Sequence, residues 1–162
     1  MPRRVYKVAI VGGSMCALAD VFAVVSLLTP SWVVNDFLGH ATFGLTKLCQ
    51  KPMHGDKICV TPKLSDSWKA TLVFLILGIL SLTITCVLIF ISLWKPRIFN
   101  YGKWVSVVAA MQLLLASIIF PIGFGSPEVG GTPFKLPPNN SLGSSYVFFI
   151  VAISLLWAVM CA

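Results

Sequence analysis

Residues 32–59, with the sequence WVVNDFLGHATFGLTKLCQKPMHGDKIC, form a polar segment that decides how the rest of the chain is arranged. The segment contains a tryptophan, a Gly-Leu pair and two cysteines ten positions apart: Trp32, Gly44, Leu45, Cys49 and Cys59. Long apolar runs precede and follow it, so we expect it to be an insert on one side of a membrane. Two cysteines in a loop rich in Thr, Lys and Gly are typical of a small disulfide-clamped sheet, which requires the oxidising, extracellular side.

The composition is that of a polytopic membrane protein rather than a soluble domain. Of the 162 residues, 57% are hydrophobic and 10% are charged, and the mean hydropathy is +0.92. A soluble domain carries roughly 25% charged residues. The net charge of +7 does not indicate nucleic-acid binding, because six basic residues lie in short segments beside apolar runs: Arg3, Arg4, Lys7, Lys95, Arg97 and Lys103. This distribution is a positive-inside signature and places those segments in the cytosol.

The apolar runs predict four membrane-spanning helices, because about 20 helical residues cross a bilayer. The predicted spans are residues 6–28, 70–94, 104–124 and 143–162, and the predicted outer loops are residues 29–69 and 125–142. Pro30 ends the first span, since proline lacks an N–H donor. A cleaved signal peptide ending near Ala19 is the rival interpretation, but the apolar run continues to Leu28 and favours a retained helix. With four spans, both termini are cytosolic.

Alternating and β-branched residues predict three short strands in the first outer loop, at residues 31–35, 41–48 and 57–61, and one in the second, at residues 131–136. Trp32 and Trp68 lie close to the two membrane boundaries, where amphipathic rings are favoured, and Trp94 begins an interfacial stop. The sequence therefore predicts one domain over residues 1–162, an all-α four-helix membrane bundle capped by a small extracellular β-sheet.

Cys49 and Cys59 are predicted to form a structural disulfide. Their spacing is not that of a Cys-x-x-Cys redox pair, and a zinc site needs further ligands. Closing a loop of about ten residues contributes roughly 2–3 kcal/mol. The other cysteines lie within the spans as buried thiols, and Cys86 and Cys161, near the inner leaflet, are candidate palmitoylation sites.

Asp20 is the most informative polar residue of the predicted spans. Inserting a carboxylate into a bilayer has a free-energy cost of roughly 3 kcal/mol on insertion scales. Asp20 shares a helical face with small residues that let another helix approach. Ser81 and Ser117 are expected at similar depth and are candidate hydrogen-bond partners of Asp20, and Gln112 is expected to bond between helices. The favoured interpretation is a packing aspartate, and the alternatives are an ion or proton site and a contact with a partner's span.

The remaining sequence features are one glycosylation site and a lack of the common catalytic motifs. Asn139 begins an Asn-Asn-Ser glycosylation sequon on the extracellular side. The sequence contains no nucleophile elbow, phosphate-binding loop or paired acids, so we expect neither an enzyme nor a cofactor or metal site.

The four-span pattern, with a tryptophan, a Gly-Leu pair and two cysteines in a long first outer loop, resembles the claudin and peripheral myelin protein superfamily. In claudins the Gly-Leu pair is followed by tryptophan, whereas Thr46 follows it here. This resemblance implies a claudin-like fold. It also implies an alternative function as a cell-adhesion or paracellular-barrier protein.

A closer resemblance, over about the full length, is to the modulator of Smoothened family. Its motifs are LADVFA at residues 18–23, SLTITC at 81–86, FPIGF at 120–124, EVGG at 128–131, KLP at 135–137 and GSSYV at 143–147. The second outer loop is the most specific part of the resemblance.

This resemblance implies a negative regulator of Hedgehog signalling in the plasma membrane and primary cilium. The family is thought to act with a large single-pass membrane protein with EGF repeats and a mahogunin-type RING ubiquitin ligase. Together they would lower Smoothened at the cell surface and cilium by promoting its ubiquitination and removal. The chain would then be an adaptor and not the catalyst. The alternatives are the claudin-like barrier protein and a small transporter that uses Asp20.

Overall fold

The computed structural model describes residues 3–35, 41–51, 55–123 and 141–161. Its helices are α1 (Arg3–Leu28), α2 (Asp66–Ser92), α3 (Phe99–Ile122) and α4 (Ser144–Cys161), with a short 3-10 helix at Pro96–Ile98 before α3. Its strands are β1 (Val33–Asn35), β2 (Ala41–Phe43), β3 (Leu48–Gln50), β4 (Ile58–Val60) and β5 (Ser141–Leu142). The strands lie at the end of the bundle where α1 ends and α4 begins, which we call the sheet end; the opposite end is the basic end.

Three helical segments are long and apolar enough to cross a membrane: Tyr6–Leu28, Asp66–Ser92 and Pro96–Ile122. The apolar segment of α4, Ser144–Met160, is shorter. Large apolar side chains on these helices face outward, among them Val21, Leu80 and Ile118. A contiguous apolar exterior of this kind needs a lipid or protein covering.

The second helix begins at Asp66, four residues before the predicted start of the second span. An acidic residue in the first turn interacts favourably with the helix dipole. Lys69 Nζ also lies 3.0 Å from Asp66 Oδ1, an exposed i,i+3 pair that adds little stability. The helix therefore starts in the polar loop rather than at the edge of the apolar run.

Helix α1 packs against α2 and α4, while α3 packs mainly against α2. The buried face of α1 is a strip of small residues: Ala9, Gly13, Cys16, Ala19 and Ala23. A Cβ at Gly13 would lie 3.1 Å from Ile89 Cγ2, closer than most side chains tolerate. Small residues here let the helix backbones approach closely, as the sequence indicated.

The sheet has the strand order β4-β3-β2-β1-β5, and every pair is antiparallel. The prediction of one strand at residues 41–48 was wrong, because the Gly44 N–H donates to the Lys47 carbonyl at 2.9 Å and makes a turn between β2 and β3. The fifth strand, Ser141–Leu142, pairs with β1 and so joins the two loops into one sheet. The strand predicted at residues 131–136 lies outside the described residues.

Trp32 lies at the junction between the sheet and the helices. Its indole N–H donates to the Ser26 carbonyl at 2.8 Å, in a buried setting. Its ring centroid lies 4.8 Å from that of Phe120 and 5.5 Å from that of Phe149, within the range of favourable aromatic pairs. The tryptophan therefore ties the end of α1 to both α3 and α4.

Trp32 and Trp68, which were expected close to the membrane boundaries, do not have the exposed rings that contact a membrane interface. Both are buried, and Trp68 stacks on Phe120 with ring centroids 5.4 Å apart. Trp32 packs on Phe120 and Phe149, so both tryptophan rings belong to one aromatic cluster between the helices. Trp94 and Trp104, at the basic end, are 81% and 74% exposed and have the exposure that a boundary ring requires.

The start of α4 is bonded directly to the segment that leaves α1. The Gly143 N–H donates to the Trp32 carbonyl at 2.9 Å, and the Ser145 N–H donates to the Ser31 carbonyl at 3.1 Å. The Ser145 hydroxyl donates to the Thr29 carbonyl at 3.0 Å. A Cβ at Gly143 would overlap the Ser31 carbonyl oxygen, so only glycine fits at this close backbone approach.

Replacing Gly143 by alanine should destabilise the protein by about 3 kcal/mol, the upper part of the range for overpacking, because the obstacle is backbone and cannot rotate away. Thermal unfolding of purified protein measures this. The matched control is Gly102→Ala, whose Cβ would meet Ile89 and Leu88 at an ordinary 3.6 Å. Equal stability of the two variants would contradict the assigned role of Gly143.

Candidate functional site

The disulfide joins the edge of the sheet to its interior. Cys49 and Cys59 lie directly opposite each other on β3 and β4, with their sulfurs 2.05 Å apart, so the disulfide expected from the sequence is present. Cys49 is buried, whereas all three residues of β4 are exposed. The covalent bond therefore holds an exposed edge strand that has little burial of its own to fix it.

The other side of β4 is an open edge in the sheet that the described residues form, because β3 is its single neighbour. The Cα atoms of Cys49 and Cys59 are 4.1 Å apart, which is typical of the narrow antiparallel pair whose backbone groups do not bond each other. The Cys59 amide and carbonyl then point to the open edge. Ile58 and Val60, 62% and 52% exposed, flank them on one face. Such an edge accepts a strand from another chain.

The Gly-Leu pair anchors the β2–β3 turn on the end of α1. A Cβ at Gly44 would lie 2.6 Å from Pro30 Cα, so glycine is required for this approach. Leu45 is buried in the core, and the Thr46 hydroxyl donates to the Leu27 carbonyl at 3.3 Å. The motif Trp32, Gly44 and Leu45 is therefore structural and holds the sheet on the helices.

Asp20 takes a different partner from those expected. The Thr83 hydroxyl donates to Asp20 Oδ2 at 3.0 Å, so the expectation of Ser81 or Ser117 was wrong. The Ser81 hydroxyl instead donates to Gln112 Oε1 at 2.9 Å, and the Ser117 hydroxyl donates to a carbonyl of its own helix. Side chains two positions apart on a helix point in nearly opposite directions, so Ser81 faces α3 while Thr83 faces α1.

The surroundings of Asp20 supply few polar groups. Its second oxygen, Oδ1, is buried and has no hydrogen-bond partner among the described residues. Within the same residues, no group of three or more His, Cys, Asp or Glu side chains is close enough to hold a metal ion. One carboxylate and one hydroxyl are few ligands for a cation, which takes six or more oxygens in the case of calcium.

Two thiols lie beside the hydrogen bond between Thr83 and Asp20. Cys86 Sγ and Cys16 Sγ are 3.0 Å apart between α2 and α1, and both residues are buried. Cys86, expected as a palmitoylation candidate, is therefore enclosed by α1, which does not suit acylation by an enzyme. The side chain of Cys161, the other candidate, and Asn139 of the sequon both lie outside what the structure describes.

The structural roles of Gly143, Ser145 and Thr83 were not predicted from the sequence. Gly143 and Ser145 lie where the last apolar run begins. The Gly-Ser-Ser sequence at this point is a helix-start signal that could have indicated their role. Thr83 had no such signal. Ser81, Thr83 and Thr85 all lie on α2, and only helix packing decides which one faces α1.

These features define a small, mostly helical protein whose apolar helices carry a disulfide-clamped antiparallel sheet. The family model described as Attenuator of Hedgehog matches residues 29–161, from the end of α1 through the sheet to the last turn of α4. The chain belongs to the Attenuator of Hedgehog family. Membership of this family implies attenuation of Hedgehog signalling.

Replacing Cys49 by serine should destabilise the sheet by roughly 2–3 kcal/mol, because the ten-residue loop is no longer closed. Thermal unfolding under oxidising conditions measures the loss. The double variant Cys49→Ser/Cys59→Ser should lose no more than Cys49→Ser, since one bond is removed in either case. Wild-type stability of Cys49→Ser would contradict the role of the disulfide.

The bond between Ser81 and Gln112 should couple α2 to α3 by about 0.6 kcal/mol, the average found for hydrogen bonds between membrane helices. A double-mutant cycle with Ser81→Ala and Gln112→Leu measures the coupling as a free energy of unfolding. A second cycle with Thr83→Ala and Gln112→Leu is the control, because Thr83 faces α1. Equal coupling in the two cycles would show that the bond is not specific.

Proposed function

We propose that this protein is a claudin-like, four-span membrane adaptor that attenuates Hedgehog signalling by lowering Smoothened at the cell surface and in the cilium. The observation that carries the proposal is membership of the Attenuator of Hedgehog family. The adaptor acts with a single-pass membrane protein with EGF repeats and a mahogunin-type RING ubiquitin ligase, and the ligase supplies the catalysis.

In this proposal all four helices cross the plasma membrane, with the sheet outside and both termini in the cytosol. The apolar length of three helices supports a membrane location. The disulfide lies at the sheet end, and a stable disulfide needs the oxidising side. Lys7, Lys95 and Lys103 lie at the opposite end, as the positive-inside rule requires of cytosolic segments. Two independent compartment signals therefore give the same orientation.

The open edge of β4 is the proposed contact surface for a partner's extracellular domain. Exposed apolar edge strands are a liability that proteins usually protect with charge, proline or a covering segment. In β4 the three residues are Ile58, Cys59 and Val60, all exposed and all uncharged. The disulfide fixes the strand in an extended form before binding, which lowers the entropy cost of adding a partner strand. This combination favours strand addition as the mode of contact.

The test of the function is to delete the gene in ciliated cells and measure surface and ciliary Smoothened. Deletion should raise Smoothened, and re-expression of the wild-type chain should lower it again. Unchanged Smoothened would overturn the proposal. Unchanged Smoothened with an altered ion permeability of a cell layer would assign the claudin-like barrier role instead. Full rescue by Asp20→Asn, which keeps an acceptor for Thr83, would exclude a transporter that depends on the Asp20 charge.

The same rescue tests the β4 edge. The variant Ile58→Asp/Val60→Asp should fold and reach the surface but fail to lower Smoothened, because charge on the edge opposes strand addition. The matched control is Leu142→Asp, since Leu142 lies on β5 at the other edge and is 54% exposed. Full rescue by the Ile58→Asp/Val60→Asp variant would remove β4 as the contact surface.

A further inference from the structure

A cavity of about 470 Å³ lies at the basic end of the bundle, away from the sheet. It lies between α1, α3 and α4, and Ile89 of α2 also lines it. Its apolar lining includes Val8, Met15, Val107, Val159 and Met160. Ligand pockets in proteins measure roughly 300–1,000 Å³, so the space is sufficient for a small apolar ligand or one hydrocarbon chain.

Two glycines line the cavity. A Cβ at Gly12 would lie 3.6 Å from Val159, and a Cβ at Gly102 would lie 3.6 Å from Ile89. These are ordinary contact distances, so alanine would fit at either position. Neither position therefore requires glycine for a tight helix contact. Gly13, one position along α1, differs because it does meet a neighbouring helix closely.

The mouth of the cavity is positively charged. Lys7 of α1 and Lys103 of α3 both line it and are exposed, and no acidic residue is among the described lining residues. Lys103 Nζ lies 5.1 Å from the centroid of the Phe99 ring, which also lines the cavity. The cavity therefore combines an apolar interior with two lysines, and no acidic residue of the described lining pairs with them.

We propose that this cavity binds an anionic phospholipid of the surrounding leaflet. One hydrocarbon chain occupies the apolar space, and the headgroup phosphate lies between Lys7 and Lys103. An anionic headgroup carries net negative charge that pairs with the two ammonium groups, whereas a zwitterionic headgroup has no net charge to offer them. The inference rests on the membrane orientation proposed above and not on the Hedgehog role.

The test uses the full chain, purified in detergent and mixed with equal amounts of dioleoyl phosphatidylserine and dioleoyl phosphatidylcholine. Native mass spectrometry then measures the bound lipid. The wild-type chain should retain phosphatidylserine preferentially. The variant Lys7→Gln/Lys103→Gln should lose affinity for it by about fivefold per lysine, equivalent to about 1 kcal/mol for each charge near an anionic headgroup.

The charge control is Lys95→Gln/Arg97→Gln, which removes two exposed charges from the same end but none from the cavity lining. This variant should bind as the wild type does. The volume test is Gly12→Leu, which should fill the cavity and abolish retention of lipid, with Gly12→Ala as its matched control. If Gly12→Leu does not fold, the charge variants still decide the proposal.

Equal losses in the two charge variants would overturn the site, because they would reflect general attraction to a basic surface. Equal retention of the two lipids by the wild type would also overturn it. The measurement uses purified protein and no signalling readout. A negative result here therefore leaves the Smoothened proposal standing, and unchanged Smoothened in cells would leave the lipid site standing.

Discussion

The close backbone approach between Gly143 and the Ser31–Trp32 segment is the constraint on which the rest of the structure depends. It brings the start of α4 against the end of α1, and it places β5 beside β1. The Trp32 ring can then pack on α3 and α4 together. This contact adds to the anchoring of the sheet by Gly44 and Leu45 at the end of α1. With it, the sheet and the four helices share one core.

The two ends of the bundle have opposite chemistry, and this opposition supports the proposed function. The sheet end has a disulfide and an uncharged open edge, which suits contact with an extracellular domain. The basic end has lysines around an apolar cavity, which suits contact with an anionic membrane surface. The polar bonds between the helices, such as Ser81 with Gln112, hold the middle of the bundle in one arrangement. The proposed adaptor would use the two ends as separate contact surfaces.

Features that depend on the length of apolar runs and on cysteine spacing were predicted, whereas hydrogen-bond partners and the burial of the tryptophan rings were not. Run length gave the approximate positions of the apolar helices, and cysteine spacing with an exported loop indicated the disulfide. The bond of Asp20 to Thr83 depends on the rotation of α2 about its axis, which the sequence does not specify. The burial of Trp32 and Trp68 depends on their packing against Phe120, which the position of the two residues beside apolar runs does not reveal. The pairing of β5 with β1 joins two segments that are far apart in the sequence, so it is visible only in the folded structure.

The proposed orientation places the sheet end and the basic end on opposite sides of a membrane. A membrane-impermeant maleimide applied to cells expressing either Lys63→Cys or Lys95→Cys tests it most directly. Lys63 is exposed beside the sheet, and Lys95 is exposed at the basic end. The proposed orientation requires labelling of Lys63→Cys on intact cells and of Lys95→Cys only after permeabilisation. Labelling of Lys95→Cys on intact cells would contradict it.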